Sequence, residues 1–305
     1  MESPIKIGNL LKVGKSFVTA QKQSLHITLY IDPRVDDEFV VDLCELFRPR
    51  TTRSKVFVQI LSGSAQDDSA QIARESHKTT ARVMVVTHAS HLAGLAPLPP
   101  ATCVIVTDEL RSVAAQLLGV SILEVLSPRS GALEEQIAAW FSMKLASRRL
   151  PLAGDYPFMR AAISHDICAA TAWQNAVIAL VPFTHGADMP VLVGNQTKML
   201  FQLALAQGLK LNAQRIPELV VTGAAALGSR ALAQRFLFRF PPARWLARGA
   251  LAYVVTLGLG LAACEYYERR AASEQEHAAA ALESGLAGSA GSARAALPEG
   301  STAEA

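Results

Sequence analysis

Five short apolar runs, each bounded by polar residues or by Pro and Gly, fall in the first half of this chain: His26–Ile31, Lys55–Ile60, Arg82–Thr87, Thr102–Thr107 and Ser121–Leu126. Each is rich in β-branched side chains and too short for a stable helix, which is the mark of buried strands. Helix-patterned segments separate them at Asp36–Phe47, Asp67–Thr79, Glu109–Leu118 and Gly131–Leu145. Strand and helix in alternation predict right-handed crossovers, hence a mostly parallel five-stranded sheet with helices on both faces. This α/β unit is expected over residues 25–148, behind a basic lead-in over 1–24.

From about Ser147 the pattern changes. Helical stretches follow at Phe158–Val181, Met189–Gln207, Pro217–Phe238 and Trp245–Arg270, joined by short turns such as Pro182–Gly186. Connections this short predict an all-α module of neighbouring helices over 156–270. Residues 271–305 are mostly Ala, Ser, Gly and Glu, and are expected to form a low-complexity, disordered tail whose start extends the last helix.

Composition matters for where such a module resides. Half the residues are hydrophobic and only 18% are charged, against about 25% charged in an ordinary soluble protein. Ile167–Ala187 carries no formal charge; about 21 residues could just cross a hydrocarbon core. Gly249–Cys264 is also free of charge, but about 16 residues cover roughly 24 Å, short of a bilayer core unless flanking Arg248 and Arg269 snorkel. Its Gly249, Ala252, Thr256, Gly258 and Gly260 permit close helix contact. The series Arg230, Arg235, Arg239, Arg244 and Arg248 recurs at spacings that keep much of it on one side of a helix, among Phe236, Leu237, Phe238 and Trp245. It reads either as a contact for anionic lipid headgroups or as a solvated face. The net charge of +3 gives no footprint for nucleic acid.

Catalytic and cofactor motifs are incomplete. Val13-Gly-Lys-Ser16 has the end of a phosphate-binding P-loop, yet Asn9 stands where its first glycine belongs. The turn after the first strand, Asp32–Phe39, has no glycine and four carboxylates, which repel phosphate. Asp36 and Asp37 are expected to cap and charge the next helix. His88 and His91 form an H-x-x-H after the third run, with Asp108 or Glu109 as a third metal ligand or, alternatively, as part of a solvated loop. His165-Asp166 reads as a polar boundary before an apolar helix. No catalytic residue, cofactor or metal site is assigned. Cys44, Cys103, Cys168 and Cys264 form no C-x-x-C clip, and no apolar secretory stretch lies in Met1–Lys15. Free core thiols in a reducing compartment are expected. Asp188 reads as a helix N-cap before Met189-Pro190, and Asn195, Gln196 and Lys198 follow as polar positions expected to pair between helices or to lie at the surface.

Three stretches carry a family resemblance: Asn175–Met199, Gly223–Arg230 and Pro241–Thr256. They resemble the domain-of-unknown-function 697 family over about Tyr156–Glu268. The resemblance implies a bacterial origin and association with the inner membrane, and it supplies no reaction. Family chains often carry a small Era-like GTPase domain before this module. Glu124–Glu135 resembles the end of such a domain, where a Ser-Ala turn touches guanine. Val106-Thr-Asp-Glu109 stands where the guanine-reading Asn-Lys-x-Asp would fall. The resemblance therefore implies a degenerate, GTPase-like domain. The expected role is a non-catalytic, membrane-associated scaffold or regulator, with a protein partner or a second copy among its contacts. The alternative is an enzyme or sensor using Asp32, His88 and Asp108 at the sheet edge.

Overall fold

The computed structural model describes residues 16–75, 79–95, 97–118, 125–126, 133–181, 189–209 and 244–295. A helical stretch over 16–21 (α1) leads into β1 (His26–Ile31), α2 (Asp37–Leu46), β2 (Lys55–Ile60), α3 (Ala65–Glu75), β3 (Ala81–Val86), α4 (Ala89–Leu95), β4 (Thr102–Val106) and α5 (Asp108–Leu118). All the strand pairings are parallel, in the order β2-β1-β3-β4. Of the expected fifth run, the described residues hold Val125–Leu126, which pairs with Val104 and Ile105 at the far edge.

Alternation along β1, β3 and β4 feeds two cores. Leu25, Ile27, Leu29, Val83, Val85, Cys103 and Ile105 face one side, and Tyr30, Met84, Val86, Val104 and Val106 face the other with Ile72, Leu92 and Leu95 from α3 and α4. β3 and β4 are buried throughout because helices cover both faces. At the edge, β2 leaves Phe57, Val58 and Ile60 exposed.

The second half is helical: α6 (Leu133–Lys144), α7 (Arg149–Asp155), α8 (Arg160–Leu180), α9 (Met189–Ala206) and α10 (Arg244–Ala295). The last helix thus runs through much of the low-complexity tail. The core on the first sheet face does not stop at the expected boundary near 148–156. It continues through Phe47, Phe141, Tyr156, Met159, Ile163 and Cys168 to Met199, Leu259 and Tyr267. Phe47 is its joint, with ring centroids 5.7 Å from Phe141, 6.0 Å from Tyr156 and 5.5 Å from Phe158. Pairs of this kind add about 0.5–1.5 kcal/mol each beyond area burial. A polar bolt lies beside them. The buried Asp155 carboxylate of α7 accepts from Thr51 Oγ1 at 2.7 Å and from Ser54 Oγ, while Ser54 Oγ accepts from the Leu25 amide at 3.2 Å. Within the helical half, α10 packs most extensively on α8, with α9 against both.

Candidate functional site

Two places gather polar side chains. The first is the carboxyl edge of the sheet between β1 and β3. Strand order 2-1-3-4 reverses there, and doubly wound folds place their ligand crevice at such a point. Asp32, just after β1, is 2% exposed. It accepts from the Thr87 amide at 3.1 Å, Thr87 Oγ1 at 2.6 Å and the Arg34 amide at 3.1 Å. His88 Nδ1 lies 2.9 Å from the same Thr87 hydroxyl. His91 turns elsewhere: it is buried in α4, with Nε2 2.9 Å from Asp68 on α3. Asp68 also accepts from the Ser62 amide at 2.8 Å.

The two histidines of the H-x-x-H therefore part company, because the segment carrying them is a helix start rather than a loop. Glu109 is exposed, and Asp108 begins α5 with its side chain outside the described residues. Among the described residues no three His, Cys, Asp or Glu side chains converge on a metal position. The sheet edge brings Asp32 and His88 together through Thr87. Asp36 is the N-cap of α2 but makes no side-chain cap hydrogen bond, so its contribution is charge at the dipole's positive end.

Burial by itself would raise the Asp32 carboxyl. The Thr87 hydroxyl and amide and the Arg34 amide outweigh it and hold the group below its ordinary 3.8. Asp68 shows the same balance: burial pushes upward, while Ser62 and His91 prevail downward. A carboxylate depressed in the folded state contributes stability that is present above its ordinary value and lost as pH falls through the folded value. The double variant Asp32→Asn, Asp68→Asn is expected to flatten the loss of stability between about pH 5 and 2. Urea titrations across that range check it; a slope equal to that of the unmodified chain would show that these carboxylates do not set the acid limit.

The second place is the helical half. Asn175 of α8 is fully buried and donates from Nδ2 to Thr256 Oγ1 of α10 at 3.0 Å. Asn195 of α9 donates to Asn175 Oδ1 at 3.0 Å, and Gln196 donates to Thr256 Oγ1 at 3.2 Å. Four neutral side chains from three helices thus satisfy one another in an apolar layer. Asn195 and Gln196 pair between helices. Lys198 instead lies on an exposed part of α9, with Nζ 5.7 Å from the centroid of the Phe17 ring. Thr256 is the member that sequence reading assigned only to helix contact; its alignment with Asn175 across two uncharged runs was the available signal. Farther along, Gln207 donates to Glu268 Oε1 at 3.2 Å. His165 and Asp166 lie inside α8 rather than before it, and Asp166 accepts from Ser142 Oγ at 2.5 Å and from Arg149 at 3.3 Å. The cysteines are free thiols, with Cys168 and Cys264 sulfurs 3.9 Å apart across α8 and α10.

α10 is antiparallel to α8: Gly249 lies against Leu180, Thr256 bonds Asn175, and Gly260 lies against Cys168. The end of α8 is about 30 Å from its start in the shared core. Toward that distal end several large apolar side chains are exposed among the described residues. Trp173 and Val254 are each 64% exposed, and Val177, Val181, Val191 and Leu246 are exposed as well. Trp173 packs edge-on against Tyr253 at 5.5 Å. Leu246–His277 is long and apolar enough to cross a membrane by length and composition, and one third of its most apolar window is buried. Asp188, Arg230, Arg235 and Arg239 lie outside the described residues; Arg244 begins α10, with its side chain also outside them, and Arg248 is half-buried on the same helix.

Comparison with family models, with curated proteins and with solved structures finds no match to this chain.

Proposed function

We propose that this protein is a non-catalytic scaffold or regulator that sits on a membrane through the distal end of its helical half. The carrying observation is the exposed apolar surface of Trp173, Val177, Val181, Val191, Leu246 and Val254. A soluble bundle would turn such side chains inward, and contiguous apolar patches mark sites of protein or membrane contact. The run from Gln174 to Val181 rises only about 10 Å, which fits insertion to the headgroup and acyl boundary better than a full crossing. The resemblance to the domain-of-unknown-function 697 family supports the bacterial inner membrane as the location, with the α/β part on the cytoplasmic side. The arginines from Arg230 to Arg248 supply charge for anionic lipid in this reading. A protein partner or a second copy would find a docking edge at β2, whose exposed apolar residues are unusual for a strand of such a sheet. The GTPase-like framework is proposed in its degenerate form: the turn after β1 holds Asp32 in three hydrogen bonds where a phosphate loop would need open amides.

Detergent-free fractionation of cells at low salt tests the reading. The full chain is expected in the membrane fraction. The double variant Val177→Glu, Val254→Glu changes only exposed positions and is expected to shift at least about tenfold toward the soluble fraction, since a charge costs a few kcal/mol in apolar lipid. Complete recovery of the unmodified chain in the soluble fraction would end the membrane reading.

A second reading draws on the sheet edge. There Asp32, Thr87 and His88 form a hydrogen-bonded chain at the switch point, and an enzyme or sensor of nucleotides or metals would use them. A thermal-shift screen with nucleotides and divalent metals separates the two readings; stabilisation lost in His88→Ala would favour the second.

A further inference from the structure

A cavity of about 250 Å³ opens where α1, α7, α8 and α9 meet. Among the described residues its charged lining residues are Arg149 and Lys198, with no carboxylate. The amides of Gln174, Asn195 and Gln202 and the hydroxyls of Ser147 and Thr171 also line it. Arg149 is anchored: Nε donates to the Ser142 carbonyl at 3.1 Å, and one terminal nitrogen reaches Asp166 at 3.3 Å. That fixes the guanidinium plane at the cavity wall and leaves its other terminal nitrogen without a partner among the described residues. Lys198 lies over the Phe17 ring, with no acid paired to it among the described residues. A fork-shaped cation, a point cation and several amide N–H donors around one concavity match the oxygens of a phosphate group.

The position is as informative as the lining. Gln174 adjoins Trp173 on α8, so the cavity lies within one helical turn of the exposed apolar surface. If the distal helices enter a bilayer by about 10 Å, this cavity lies at headgroup depth.

We infer that this cavity binds a phosphate ester, supplied either by an anionic lipid headgroup or by a free phosphate compound. The inference rests on the membrane reading for the first of these sources and stands apart from it for the second.

The test uses the purified full chain and vesicle flotation with phosphatidylcholine alone or with added phosphatidylglycerol. The unmodified chain is expected to float with both and to prefer the anionic vesicles. Lys198→Gln is expected to reduce that preference about fivefold, the effect of one cation at an anionic surface, and Lys198→Glu to reduce it further. Lys198 is exposed, so both variants are expected to fold, and circular dichroism checks this. Lys55→Gln, on β2 away from the cavity, is the control for diffuse charge. An equal loss in Lys55→Gln, or no loss in either Lys198 variant, overturns the cavity assignment while leaving membrane binding intact. No flotation with either vesicle overturns the membrane reading instead. The second arm then decides the cavity: titration with inorganic phosphate and glycerol 3-phosphate, read as a melting shift. A shift that disappears in Lys198→Gln assigns the site to free phosphate compounds, and no shift sinks the inference. When vesicles do bind, competition by glycerol 3-phosphate marks the same free source, and its failure to compete assigns the lipid headgroup.

Discussion

Replacing Asn175 by alanine is expected to destabilise the chain by about 3 kcal/mol, because it removes a buried side chain and strands two partners at once. Thr256 loses a donor and the Asn195 amide loses its acceptor, in a layer from which water is excluded. In a chain of this size the midpoint of thermal unfolding should fall by roughly 6–12 °C. The informative variant is the double one. Asn175→Leu with Thr256→Val replaces the central pair by apolar groups of similar volume, and its cost should lie well below the sum of the single changes. Thermal melts of the four proteins form a cycle. Additive losses would show that the hydrogen bonds do not act as a unit, and an Asn175→Ala protein that melts with the unmodified chain would remove the network from the account of helix assembly.

The second large effect belongs to Gly260. A Cβ built there would meet Cys168 Sγ at 2.5 Å, Cys168 Cβ at 3.0 Å and Met199 Sδ at 3.3 Å. Gly260→Val therefore has to push α8 from α10 along their whole contact, and about 3 kcal/mol of destabilisation is expected. Gly258, two residues earlier on the same helix, faces open space, with nothing within 4 Å of its virtual Cβ. Gly258→Ala should raise stability by about 0.5–1 kcal/mol through helix propensity. The opposite signs are the prediction. Rescue of Gly260→Ala by Cys168→Ala would locate the clash, and two glycines responding alike would mean that α10 does not meet α8 at this register.

The sheet was legible because β1, β3 and β4 are buried on both faces and the edge strand β2 is as apolar as they are: continuous apolar runs place β1 and β2 to the residue and β3 and β4 to within one. The helices α4 and α7 were not expected as elements. Each is seven residues long, too short for a period of 3.6 to show itself, and Pro151 and Gly154 punctuate the second as a loop would be punctuated. Tertiary packing of Leu92, Leu95, Leu150 and Leu152 holds them in place of propensity. For the polar site, Asn195 and Gln196 could be picked out because an uncharged helix has few reasons to keep an amide. Lys198 could not be separated from them by sequence, since a two-residue step is enough to turn a side chain from the helix interface to the outer surface. The cavity was beyond reach for a different reason: Arg149 and Lys198 are brought together by α7 and α9, and the former helix was not foreseen.

The shared core has a consequence for synthesis. Leu25 at the start of β1 and Ala271 far along α10 belong to one apolar cluster. The first residue leaves the ribosome long before the last is made; at bacterial or eukaryotic elongation speeds the interval is on the order of tens of seconds. Throughout it, the sheet face formed by Ile27, Leu29, Val83 and Val85 has only α2 and then α6 to cover it. The nascent chain thus exposes a sticky half-core for most of its translation, and its yield in a cell should depend on whether a chaperone or a waiting lipid surface reaches the chain before another copy does.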